Sequence, residues 1–168
     1  MNMSQANPKV DEIRQDARQS FQAMLGLVDG PLAQLAPEKL YVSPVEGEWS
    51  IMENLAHIAE FMPYWAGQID ALVAEPGRNF GRTHQHEGRL NAIRDHSHDT
   101  LAEARSAMEA GYARLDETLA RLKDSDLQIT GVHSRFGEKS LDWFIEDFVT
   151  GHLEDHVEQM QEAIEAVK

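Results

Sequence analysis

Apolar residues recur at helical spacing in four stretches of the chain. The sharpest is Ile51, Leu55, Ile58, Met62, Trp65, Ile69 and Leu72, with alternating gaps of four and three residues. That is the seam of a helix buried along one face in a bundle. Ser50 followed by Glu53 gives this helix a capping box, each side chain satisfying a backbone N–H that the first turn leaves free. Pro63 lies inside the run. It cannot donate to the Ala59 carbonyl, so a kink is expected there rather than an end. An earlier stripe of Ile13, Ala17, Phe21, Met24 and Val28 predicts a first helix, opened by Asn7 as N-cap with Pro8 at the first helical position and closed by Gly30-Pro31. Residues 31–49, punctuated by Pro31, Pro37, Pro44 and Gly47, read as a long loop.

A third helix is marked by Leu101, Ala104, Met108, Leu115, Leu119 and Leu122, with Thr100 and Glu103 as a second capping box. The fourth begins at Ser140 and carries Leu141, Ile145, Phe148, His152, His156 and Met160 on one face. Two connections remain. Residues 75–98 hold glycines, a proline and four histidines without sustained periodicity, and residues 124–139 form a loop ending in Phe136-Gly137. No useful strand-like alternation and no internal repeat appear. The expected fold is all-α, a four-helix bundle built as one domain over residues 1–168.

Composition narrows the chemistry. With no cysteine among 168 residues, disulfides, thiolate nucleophiles and cysteine-based metal sites are all excluded. Any transition metal must sit on imidazole and carboxylate. The net charge of −14, from 15 Lys+Arg against 29 Asp+Glu, argues against nucleic acid and against anionic membranes. No apolar run approaches the ~20 residues of a transmembrane helix, and MNMSQANPKV lacks the apolar core of a leader. A soluble cytoplasmic protein is the expectation.

The candidate chemistry is histidine. His152 and His156 stand four apart on the last helix, so their imidazoles share one face and can chelate one ion. They continue the apolar stripe, where a desolvated imidazole needs a partner. Two imidazoles alone do not close a site. His57, beside the Leu55/Ile58 seam, is the third candidate, although a lone core histidine is more often simply hydrogen-bonded. At ~1.5 Å per residue His57 lies roughly 10 Å into its helix, and His152 and His156 about 18–24 Å into theirs. The three reach one level only if these helices run antiparallel. That requires the 75–98 segment to cross the length of the bundle, a crossover in place of a local turn. His84, His86, His96 and His98 are expected in solvent, with one of them a candidate for the mouth of the site; His133 is a candidate supporting residue. Glu53, Glu60, Glu154 and Asp155 are the acidic candidates for a general base, with nothing to choose among them.

Two runs resemble a known family. WSIMENLAHIAEFMPYW (Trp49–Trp65) is similar to the Trp-Ser, acidic residue, His segment of the DinB/YfiT-like superfamily. HSRFGEKSLDWFIEDFVTGHLEDHVEQM (His133–Met160) is similar to its C-terminal segment, an aromatic-Gly loop leading into a helix with HxxxH. The resemblance implies a four-helix bundle of unusual helix order, often dimeric, with a divalent metal on three histidines, here His57, His152 and His156. Zn, Ni or Fe would suit such a site. It further implies a metal-dependent enzyme of thiol S-transferase or hydrolase type, acting on a small molecule, with a low-molecular-weight thiol as partner in the first case. A non-catalytic metal- or ligand-binding stress or sensor module is the alternative. A helical dimer with ordinary core histidines is the third reading.

Overall fold

The computed structural model describes residues 6–168; residues 1–5, the start of the stretch read above for a leader, lie outside the described part. The helices are α1 Pro8–Leu27, α2 Ile51–Ala74, α3 Glu87–His96, α4 Leu101–Arg121, α5 Leu141–Ile145 and α6 Gly151–Val167, with a hairpin of β1 Thr130–His133 and β2 Gly137–Ser140 before α5. A π turn at Glu146–Thr150 joins α5 to α6 into one long arm. No helix among the described residues is long and apolar enough to cross a membrane.

Both capping boxes form. Ser50 and Thr100 accept from the backbone N–H of Glu53 and Glu103, and each glutamate accepts from the cap residue's own N–H. At α1 the cap is shared across the fold instead. The Asn7 Oδ1 accepts from the Asp124 N–H at 3.0 Å, while the Asp124 carboxylate accepts from the N–H groups of Lys9 and Val10 at 3.2 and 3.0 Å. A borrowed carboxylate thus does what the local side chain does elsewhere, and it suits the positive end of the helix.

The helix order follows from who touches whom. Phe61 packs on His152 and Trp65 stacks on Phe148, so α2 and the α5–α6 arm are antiparallel. Gly111 lies against Ala59 and Pro63, while Arg114 and Arg121 reach Asp70, so α4 runs parallel to α2. Arg14 pairs with Asp116 and Arg105 with Asp29, which sets α1 antiparallel to α4. Two parallel helices in sequence demand a crossover, and residues 75–98 supply it. The Gly81 N–H donates to the Gln68 side chain, Arg82 reaches Glu60, and Arg89 reaches Trp49, retracing α2 from its end to its start.

Three expectations need correction. The 75–98 segment is not irregular throughout, because α3 forms within it; only Ile93 of that helix is buried, so no stripe announced it. The 124–139 segment holds a short 3-10 turn and a two-stranded antiparallel sheet in place of a plain loop. Its strands have four residues each, too few for alternation to stand out, and Gly137 adopts the left-handed φ of 73° at the end of the turn. Gly30-Pro31 does not end the first helix. The chain continues through it as a π turn at Val28–Leu32, since Val28 and Leu32 are both core residues.

The Ala59 carbonyl, deprived by Pro63 of its N–H partner four residues on, faces Gly111 of α4. A Cβ on Gly111 would meet that oxygen at 2.9 Å and the Pro63 ring at 3.2 Å. Neither is a flexible tip, so Gly111→Ala is expected to cost about 1–2 kcal/mol net, overpacking outweighing the gain in helix propensity. A thermal melt reads this as a lowered Tm; an unchanged Tm would show slack between α2 and α4.

Candidate functional site

α2 brings His57 and α6 brings His152 and His156 to one point. His57 and His156 are buried and His152 is half-buried. The Nε2 atoms of His57 and His152 are 3.2 Å apart, those of His156 and His152 3.1 Å, and the three ligand atoms all lie within 4.8 Å of one another. Ligands about 2.0–2.1 Å from one metal ion at tetrahedral or octahedral angles stand roughly 2.9–3.4 Å apart.

Such a cluster is hard to satisfy with protons alone. A neutral imidazole Nε2 has either one N–H or one in-plane lone pair, so that of His152 can serve one partner and not two. Protonation does not relieve it at neutral pH. Burial, and then the neighbouring imidazoles, push His57 from 6.5 down to about 2. Burial and His152 push His156 to about 3. Burial pushes His152 to about 4, against the pull of Asp155. Three neutral nitrogens that converge and refuse protons make a triad that could hold a metal.

Aromatic rings hold the imidazoles in place. Trp49 meets His57 edge-on at 5.3 Å, and Phe61 lies 5.0–5.8 Å from all three rings. The buried Nδ1 of His57 has no hydrogen-bond partner; the nearest carboxylate oxygen paired with it is Oε2 of Glu60 at 3.9 Å. Glu60 is itself gripped through both oxygens by Arg82, at 2.5 and 2.6 Å, and Arg82 lies 3.7 Å over the Tyr64 ring.

Through His57 and His152 the triad borders a cavity of about 350 Å³ whose walls include Phe61, Trp65, Phe148, Arg82, Arg89 and Asp155. The π turn helps to shape it. The single face read from Leu141 to Met160 is divided there, Val149 and Leu153 filling the core while Phe148 and His152 line the cavity.

The other candidates separate cleanly. His84 lines the cavity from an exposed position, while His86, His96 and His98 are exposed and outside it. His133 is buried on β1, and its Nδ1 accepts from the N–H groups of Arg135 and Phe136. That fixes the proton on Nε2, which faces the Arg82 carbonyl at 3.4 Å and ties the hairpin to the crossover. Of the acids, Glu53 is consumed by its capping box, Glu60 by Arg82, and Glu154 is exposed away from the cavity. Of these four only Asp155 lines it, together with Asp147, which was not a candidate. The arginines Arg82, Arg89 and Arg135 were not candidates from sequence. The available signal was the five arginines of the two non-periodic segments, Arg78, Arg82, Arg89, Arg94 and Arg135, in a chain otherwise rich in acid.

A family model for the DinB superfamily matches residues 18–160. No curated protein matches. Among solved structures, the chain is similar to YfiT from Bacillus subtilis, a probable metal-dependent hydrolase with an unusual four-helix bundle topology, at TM-score 0.67 and 11% identity, covering 99% of this chain and 88% of that one. It is also similar to a mycothiol-dependent maleylpyruvate isomerase at TM-score 0.62 and 14% identity, covering 94% of this chain but 60% of the isomerase. At such identities the likeness is one of fold.

Proposed function

The chain belongs to the DinB superfamily, and from that premise we propose that it is a metal-dependent enzyme acting on a small molecule, by thiol S-transfer or by hydrolysis. In this reading it is a cytoplasmic homodimer of one-domain subunits, with His57, His152 and His156 holding a divalent Zn, Ni or Fe ion. The observation that carries it is the convergence of three neutral imidazoles, their ligand nitrogens within 4.8 Å of one another, with His57 and His152 at the wall of a cavity. A metal site that serves only structure is closed by four protein ligands, whereas three leave room for substrate. When bound, such an ion lowers the pKa of a coordinated water or thiol toward neutrality.

The protein's own groups have distinct parts. Burial keeps the three imidazoles neutral and available as ligands. Phe61, Trp65 and Phe148 give the cavity an apolar wall that strips water from a small substrate. Asp155, close enough to raise the proton affinity of His152, is the carboxylate we assign to receive a proton from the nucleophile. Arg82 and Glu60 back the His57 side of the site.

Elemental analysis of protein purified without chelator is expected to give close to one metal per chain. In a panel of low-molecular-weight thiols with electrophiles, and of ester and amide substrates, turnover is expected to vanish with chelator and return with metal. Turnover that survives complete metal removal would overturn the assignment.

A further inference from the structure

Arginines in this chain mostly hold carboxylates, as expected where 29 acids meet 15 bases. Arg14 pairs with Asp116, Arg105 with Asp29 and Arg121 with Asp70. The cavity beside the histidines departs from this habit. Three arginines line it, and only Arg82 has its charge answered, by Glu60. Arg89, on α3, is partly buried. Its guanidinium sits 4.8 Å over the Trp49 ring and donates once, from Nη1 to the His84 carbonyl at 3.0 Å. Among the described residues no carboxylate ion-pairs with it. Glu60, whose charge reaches it, has both oxygens taken by Arg82. Arg135, from the hairpin turn, lines the same cavity, resting 5.3 Å over Phe136, and likewise has no ion pair. Asp147 and Asp155 also line the cavity, but both are exposed and neither pairs with Arg89 or Arg135.

A guanidinium presents five N–H donors in a planar fork that matches an oxyanion, and burying it unanswered is costly. Arg89 also lines the same cavity as His57 and His152, where an unanswered positive charge opposes a cation. A neutral or cationic substrate leaves that cost uncompensated. An anionic one removes it.

We propose that Arg89, assisted by Arg135, forms an anion subsite beside the three histidines, and that the substrate is a small molecule carrying a carboxylate or phosphate group. Trp49 supports the guanidinium from its ring, and with Nη1 on the His84 carbonyl the remaining N–H groups are left to take the oxygens of the anion. A cavity of about 350 Å³ limits the ligand to a small metabolite rather than a polymer. This deepens the metal-dependent reading and rests on it for the chemistry, though not for the anion contact itself.

The test uses zinc-loaded full-length protein and Arg89→Gln, with succinate and inorganic phosphate as separate anion probes and imidazole as an uncharged metal ligand, all by calorimetry. Succinate or phosphate is expected to bind the parent at least about tenfold more tightly than the variant, and the tighter of the two names the group. Imidazole affinity is expected to hold. Zinc affinity, by competition with a chromogenic chelator, is expected to rise in Arg89→Gln, because a repelling charge is gone. Opposite signs for anion and metal are not what a merely structural arginine gives. Equal anion affinity in the two proteins, or loss of zinc from the variant, overturns the subsite. A parent that takes up no zinc at all overturns the metal reading alone; the anion titrations on that metal-free protein then still decide the role of Arg89.

Discussion

Replacing His152 with alanine is expected to lower zinc affinity by at least about a hundredfold and to leave a folded protein. Of the three histidines it is the one whose Nε2 touches both others, and it is the least buried. Its removal therefore takes away the shared corner of the triad while opening little of the core. All three rings pack on Phe61, but His57 and His156 are the fully buried ones, so their alanine variants would mix loss of a ligand with a larger loss of packing. Losing a group that merely supports a ligand costs roughly 10–100-fold in metal affinity, which sets the floor for losing the ligand itself. Competition titration with a chelator, alongside far-UV circular dichroism, reads both quantities. If His152→Ala retains stoichiometric zinc at parental affinity, the triad is not the metal site.

Acid is expected to unfold the metal-free protein in a window set by the same histidines. Each has a folded pKa below its ordinary 6.5: about 2 for His57, 3 for His156 and 4 for His152. Below pH 6.5 the unfolded chain binds protons that the native state refuses. Stability is therefore complete above pH 6.5 and falls as pH drops through it, by about 1.4 kcal/mol per pH unit for each histidine. At pH 5 the three together would cost on the order of 6 kcal/mol, against the ~5–15 kcal/mol that an ordinary domain possesses. Bound zinc opposes this by mass action and is expected to shift the acid midpoint downward. Urea titrations at pH 7 and pH 5, with and without zinc, measure the difference. A metal-free protein equally stable at both values would mean that the imidazoles are not held neutral by burial.

The sequence carried most of what positions the site. The 4-3 stripe of α2 and its capping box depend on nearest neighbours along one helix, and both appear as read, from Ser50 to Leu72. Even the crossover was legible, because three histidines at mismatched levels leave few ways to meet. What escaped depends on distant partners. α3 is short and nearly all exposed, so its helix rests on packing against α2 rather than on a periodic stripe. The hairpin is fixed by the backbone of residues 77–80, which exchanges hydrogen bonds with Thr130 and Val132. The π turn at Glu146–Thr150 shifts the register of its arm by a residue that no spacing rule records. Arg89 was invisible for the same reason. Its importance lies in the carboxylate it lacks, and sequence does not show which charges remain unpaired.

The parallel run of α2 and α4 also sets how this chain must assemble. In an up-down-up-down bundle each helix first meets its sequence neighbour across a short turn. Here α1 finds α4, and α2 finds α6, with the His57–His152 contact spanning 95 positions. Large loops must close before much apolar surface is hidden, so formation is slow for an all-helical protein of this size. During that interval the stripe of α2 is incompletely covered, a hazard for aggregation until α4 and the α5–α6 arm are both in place. The triad draws on residues 95 positions apart and is complete only once α6 has formed on α2, so in the proposed reading metal enters after that step.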